Sequence, residues 1–115
     1  AMVNGVCVPV DGGFLAARCG VVVVTIHYRL GMFGFGCPGD AARSAWGAKA
    51  NTGLLDQVQA LRWVQGNIRA FGGDLGNVTV FGESAGSAAV ACLLTMPARA
   101  RVVPQGHHAE WRRGS

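Results

Sequence analysis

Six consecutive residues, Val21-Val22-Val23-Val24-Thr25-Ile26, narrow what this chain can become more than any other feature. The run is uncharged, wholly β-branched and too short for a helix, and stiff χ1 torsions favour an extended backbone. It lacks the alternation of a strand with one wet face, so it predicts a strand covered on both faces, the arrangement of parallel sheets. Residues 31–39 follow, dense in glycine and containing Pro38, and read as loop.

The next segment is helical by spacing. Asn51-Thr52 caps a helix starting near Gly53, and Leu54, Val58, Leu61, Val64 and Ile68 recur every three or four residues on one face. Leu55 and Trp63 widen that face. Gly72-Gly73 ends the helix, because glycine accepts the left-handed backbone of a C-terminal cap. Residues 77–81 then form a short strand, and residues 84–94 a second helix stopped by Pro97. Strand, helix, strand, helix implies parallel strands joined by right-handed crossovers, an α/β class. Two such strands alone leave open edges on both sides, so the chain reads as the middle of a larger sheet.

Composition removes several function classes. The chain has 115 residues, 50% apolar and 14% charged, which is globular and one domain at most. Its net charge of +4 is concentrated from Arg99 onward, where four arginines face only Glu110. That tail has no basic run longer than two, so the footprint of a nucleic-acid binder is missing. No apolar stretch approaches the roughly 20 residues of a membrane span. The opening residues carry no signal-peptide pattern, and neither compartment nor oligomeric state can be read. Cys7, Cys19, Cys37 and Cys92 have no metal-ligand spacing, so no metal is expected. Cys92 falls in an apolar helical run as a small core residue, while the pairing of the other three is left unassigned. Asn77-Val78-Thr79 fits a glycosylation sequon, but it leads into a strand expected to be buried and is read as chance.

The chemistry lies in Gly82-Glu83-Ser84-Ala85-Gly86, a G-x-S-x-G at the expected strand-to-helix junction. A nucleophilic serine there must sit on a tight, strained turn that lifts its hydroxyl above the sheet. Side chains at Gly82 or Gly86 are expected to collide with the neighbouring strand or helix. The helix starting at the motif aims backbone N–H groups at charge developing beside Ser84, and the N–H of Ala85 is the expected oxyanion donor. This chemistry needs no metal or organic cofactor.

These residues do not stand alone. His27-Tyr28-Arg29-Leu30-Gly31, Asn51-Thr52-Gly53-Leu54-Leu55-Asp56-Gln57, Ala60-Leu61-Arg62-Trp63-Val64, Asn67-Ile68 and Phe71-Gly72-Gly73-Asp74 occur in order ahead of residues 78–87. Together they resemble the type-B carboxylesterase family, which includes cholinesterases and bacterial para-nitrobenzyl esterases. The resemblance covers about residues 3–96. It implies a fragment of the α/β-hydrolase fold with a nucleophile elbow, and hydrolysis of small carboxylic esters through an acyl-enzyme on Ser84. It also matches Glu83 to a family glutamate beside the nucleophile and Ser87 to a family serine near the triad acid. His27 stands where the family has Asn, and Leu75 where it has Pro; His27 reads as structural. Arg29, Asp56 and Asp74 are expected framework ion-pair members.

The same resemblance shows what to miss. Family members are several-fold longer, with an oxyanion loop upstream and the triad acid and histidine downstream of the serine. Both triad partners are absent from this chain. After Ser84 come His107, His108 and Glu110, in the order histidine then acid, whereas this fold places the acid first. Without a base the hydroxyl is a weak nucleophile, so the isolated chain is expected to be inactive. Residues 1–100 therefore read as a partial hydrolase domain and residues 101–115 as a basic, unstructured tail. Back-translated and shifted by one base, Val103 to Trp111 yields Phe-Arg-Lys-Ala-Ile, then Met or Thr, then Gln-Ser-Gly. That is the family's own continuation, so a frameshift explains the tail. Nine arginines against one lysine suit the GC-rich codons it requires.

Three other readings compete. Gly34-Phe35-Gly36-Cys37-Pro38-Gly39 fits a dinucleotide fingerprint, but no strand leads into it and residues 40–49 do not open a clear amphipathic helix. An interaction-only relative of the family is a second reading, against which stands the retained Ser84. A truncated, non-catalytic product is the third, and it is compatible with esterase ancestry.

Overall fold

The computed structural model describes residues 2–3, 6–7, 11–96 and 109–112. Near the start, β1 (Met2–Val3) pairs antiparallel with β2 (Val6–Cys7). The short helix α1 (Gly13–Cys19) follows; the Asp11 carboxylate accepts the Gly13 N–H at 2.8 Å ahead of its first turn. It closes on Gly20 at φ 62°, whose N–H reaches the Ala16 carbonyl.

Residues 21–26 belong to no helix or strand. Among the described residues no strand pairs with them; Val21, Val22, Val24 and Ile26 are exposed, while Val23 lies against Gly12. The sequence predicted a doubly covered strand, and the structure overturns it. Cover for such a run comes from distant parts of a sheet, which the described residues do not supply.

The glycine-rich stretch expected to be loop contains α2 (Gly31–Phe35), and the polar residues after it form α3 (Asp40–Trp46). Gly34 lies buried inside α2, not on a loop after a strand, which removes the dinucleotide reading. The main helix, α4 (Thr52–Asn67), continues into a 3-10 turn over Ile68–Phe71 and stops at Gly72, φ 80°, as its spacing predicted. Its start differs in detail. Asn51 takes a left-handed backbone and makes no capping bond, while the Thr52 hydroxyl donates to the Phe33 carbonyl at 2.6 Å and ties α4 to α2. At Gly53 a Cβ would stand 2.7 Å from the Phe35 ring, so only glycine lets α2 approach this closely.

Beyond a turn in which Asp74 accepts the Gly76 N–H, β3 (Val80–Glu83) leads directly into α5 (Ala85–Thr95). The small core lies between α4 and α5, where Val58 meets Leu93 and is flanked by Leu61 and Met96. Val64, Ile68 and Val90 are also buried. Trp63 and Leu55 do not widen the buried face; Trp63 tilts against Phe71 at 5.9 Å and both remain exposed.

The second strand of the parallel pair is not residues 21–26 but β4 (Ala109–Arg112), with Val80 opposite Ala109 and Glu83 opposite Arg112. Part of the tail expected to be unstructured is thus a strand, which satisfies one open edge of β3. The remainder of that tail, 101–108 and 113–115, lies outside the described residues.

Candidate active site

Four residues of strand end at Glu83, and the helix begins at Ala85, so the whole reversal falls on Ser84. Its backbone sits at φ 53°, ψ −118°, a region that costs a non-glycine residue about 1–3 kcal/mol. Asn51 is the other non-glycine residue at positive φ among those described.

Three donors converge on the Ser84 carbonyl and hold this turn: the Ser87 N–H at 3.0 Å, the Ala88 N–H at 3.2 Å and the Ser87 hydroxyl at 2.6 Å. Ser87 is buried, whereas Ser84 is exposed and makes no side-chain capping bond. The strained backbone therefore presents a solvent-facing hydroxyl. Ala85, first in α5, carries one of the N–H groups that a helix start leaves without an internal acceptor. Its place directly after Ser84 suits an oxyanion donor.

Gly82 behaves as the motif requires. A Cβ there would lie 2.5 Å from the carbonyl carbon and 2.7 Å from the carbonyl oxygen of Gly86, both backbone atoms that cannot swing away. Gly86 does not behave as expected, since a Cβ on it meets nothing within 4 Å. The collision predicted for Gly86 needs a covering element, and none of the described residues supplies one. Glu83 is exposed at the end of β3.

With this elbow in place, known proteins sharpen the picture. A profile of the Carboxylesterase family matches residues 1–106. The chain belongs to that family. It is 57% identical over 88 residues to a para-nitrobenzyl esterase of Bacillus subtilis strain 168, a match covering 76% of this chain and 17% of that protein. It is 53% identical over 97 residues to carboxylesterase 3 of Pongo abelii, covering 84% of this chain and 16% of that one. A solved thermophilic para-nitrobenzyl esterase superposes with a TM-score of 0.74 at 52% identity, over 84% of this chain and 19% of the other. The fold is therefore a portion of an α/β-hydrolase, and the chain spans about a sixth of the length of such relatives.

A carboxylesterase nucleophile needs a base, and here the described residues fall short. No histidine or carboxylate is hydrogen-bonded to the Ser84 hydroxyl among them. His27 is exposed and joins no hydrogen bond there. The side chains of His107, His108 and Glu110 lie outside the described residues. No group of three metal-ligating side chains occurs among the described residues.

The framework ion pair is half as predicted. Arg29 grips Asp56 with two guanidinium contacts, Nε to Oδ2 at 2.8 Å and Nη2 to Oδ1 at 2.6 Å, and its own N–H adds a third at 3.0 Å. Hydrogen bonding from Arg29 lowers the Asp56 carboxyl to a pKa of about 2, and the same side-chain bond raises that of Arg29. Asp74 instead caps its own turn at Gly76 and forms no ion pair among the described residues. Cys92, expected in the core, is exposed, and Cys19, Cys37 and Cys92 are free thiols. Asn77 is exposed as well, contrary to the burial expected around its sequon. No helix is long and apolar enough to cross a membrane among the residues described.

Two features gave no sequence signal. The Ser87 hydroxyl bond to Ser84 is a contact three residues back that a serine in a helix makes only in some contexts. Gln57 is buried with its Nε2 unpartnered among the described residues. Its place on the apolar side of α4 was hidden by its polarity.

Proposed function

We propose that Ser84 is the nucleophile of a carboxylic ester hydrolase and that this chain holds only part of that enzyme's machinery. The observation that carries the reading is the φ 53° serine at the junction of β3 and α5. The Ser84 hydroxyl attacks the ester carbonyl, the Ala85 N–H receives part of the oxyanion charge, and the alcohol leaves from an acyl-serine that water then releases. A histidine must take the serine proton in the first step and return it to the leaving alcohol. The residues after Ser84 offer histidine and acid only in the order His107, His108, Glu110, the reverse of this fold's order, so the isolated chain is expected to have negligible turnover. A relative named para-nitrobenzyl esterase supports small esters as the substrate class, and ester hydrolysis through an acyl-serine itself requires no organic cofactor. Glu83 and Gly82 support the elbow, as do Ser87 and Gly86 through the helix start.

In this reading residues 101–115 are a tail generated by a one-base frameshift, part of which, 109–112, pairs with β3. Sequencing the locus tests it. A one-base correction near Arg101 that restores Phe-Arg-Lys-Ala-Ile supports the proposal, and a locus in which only the present frame continues without stops refutes it.

The nucleophile assignment is tested by transplanting residues 11–96 in place of the matching segment of the Bacillus para-nitrobenzyl esterase. The chimera is expected to hydrolyse a para-nitrophenyl ester and to lose at least a thousandfold in kcat on Ser84→Ala. A folded, active chimera indifferent to that substitution overturns the assignment.

A further inference from the structure

One peptide group joins Ser84 to Ala85, and its two ends face different tasks. Its N–H is the oxyanion donor of the ester-hydrolase reading. Its carbonyl is the atom on which the Ser87 N–H, the Ala88 N–H and the Ser87 hydroxyl converge, at 3.0, 3.2 and 2.6 Å. The group is trans and planar, so the Ala85 N–H points opposite to the Ser84 carbonyl, out of the start of α5. No hydrogen bond occupies that N–H among the described residues.

A serine hydroxyl bonded to the carbonyl three residues back is ordinary in a helix. Helix α5 holds a second case at its other end, where the Thr95 hydroxyl donates to the Cys92 carbonyl at 2.9 Å. Two differences set Ser87 apart. Its acceptor belongs to the residue at φ 53°, a strained turn that only specific contacts keep in place. Ser87 is also buried, whereas Thr95 is exposed, and in a low-dielectric surrounding hydrogen bonds polarise one another more strongly.

We propose that Ser87 is a positioning residue for the oxyanion site: by donating to the Ser84 carbonyl it orients and polarises the peptide whose N–H is that of Ala85. Withdrawing electrons at an amide carbonyl makes the N–H of the same amide a better donor. A developing oxyanion gains more from that donor than a neutral ester does, so the benefit falls on the transition state. The inference deepens the ester-hydrolase reading and rests on it, but every bond it invokes lies within residues 84–88. One oxyanion donor contributes about 10²–10³ in kcat, and a coupled bond strengthens a hydrogen bond by about 10–30%, which gives about two- to eightfold for Ser87.

Two measurements test it. In the full 115-residue chain, isotope-labelled for nuclear magnetic resonance, Ser87→Ala is expected to shift the Ser84 carbonyl carbon and the Ala85 amide nitrogen upfield. In the chimera carrying residues 11–96, the same substitution is expected to lower kcat about two- to eightfold with KM unchanged, because acylation and deacylation both pass through an oxyanion. Ser87→Thr keeps the hydroxyl and is expected to retain the native resonances and rate. Ser87→Cys is close in volume but a weak donor, and is expected to behave as Ser87→Ala; this pair decides the matter should the alanine variant fold poorly. Thr95→Val removes the comparable bond from the far end of α5 and is expected to change neither readout. An Ala85 nitrogen that stays in place when Ser87 loses its hydroxyl overturns the proposal, as does a loss confined to KM or one that Thr95→Val reproduces. An inactive chimera, or one indifferent to Ser84→Ala, is a different failure, that of the nucleophile reading, and leaves the resonance shift to decide this proposal.

Discussion

Replacing each glycine of the elbow by alanine sets two predictions of opposite sign. At Gly82 the new methyl would lie 2.5 Å from the Gly86 carbonyl carbon and 2.9 Å from its Cα. Carbons in contact prefer about 3.5–4.0 Å, so the overlap is about 1 Å and falls on backbone. Relief requires α5 to slide away from β3, which displaces Ala85 relative to Ser84. Overpacking of this kind costs about 1–3 kcal/mol. At Gly86 the methyl meets nothing within 4 Å, and the residue sits in the first turn of α5 at a φ that any side chain accepts. There alanine removes a helix glycine and gains about 0.5 kcal/mol, below the full interior value because the position is near the helix end. Thermal unfolding followed by circular dichroism separates the two, since each kcal/mol moves the midpoint of a small domain by about 4–8 °C. Gly82→Ala is expected to lower the midpoint by about 4–24 °C, and Gly86→Ala to raise it by a few degrees. If both fall equally, something other than the Gly82–Gly86 approach sets the elbow spacing, and the reasoning is wrong.

Further outcomes follow from the packing and the charges. Leu93→Ala, at the contact with Val58, should cost about 2–3 kcal/mol, the low end for a core leucine because so thin a core can collapse. The neighbouring Cys92→Ala should stay within about 0.5 kcal/mol, both read by urea unfolding. Asp56 has its pKa lowered to about 2 in the folded chain by Arg29, so its contribution is present above the unfolded carboxylate value and is lost as pH falls from about 4 to 2. Unfolding midpoints across that window should drop for the native chain and flatten for Asp56→Asn. Cys19, Cys37 and Cys92 should each react with a thiol reagent without denaturant; protection of any of them would contradict its exposure.

The helix over residues 52–67 was legible because its information is local. Leu54, Val58, Leu61 and Val64 need only one another's spacing to define a face, and Gly72 ends the segment by its own backbone freedom. Helix α1 was not legible, since it buries no residue and so leaves no apolar period to find. Asp74 misled because a carboxylate two residues before a glycine N–H satisfies an aspartate as well as an arginine does. Cys92 misled because an apolar run fixes that a helix is buried somewhere, not which side turns inward.

The same division explains why the turn at Ser84 persists while most of a surrounding sheet does not. The close approach of Gly82 to Gly86 and the hydrogen bonds of the Ser87 hydroxyl and the Ala88 N–H to the Ser84 carbonyl all span five residues or fewer. The strain of one left-handed serine is met by three hydrogen bonds each net worth about 0.5–1.5 kcal/mol, so the elbow can form wherever β3 runs into α5. A triad base and the cover for residues 21–26 have no such local source. They depend on groups brought from far along a chain, and the elbow sequence is silent about whether those groups arrive. G-x-S-x-G with the right flanks thus specifies the geometry of a nucleophile, and catalysis requires a second, non-local condition that must be sought outside the motif.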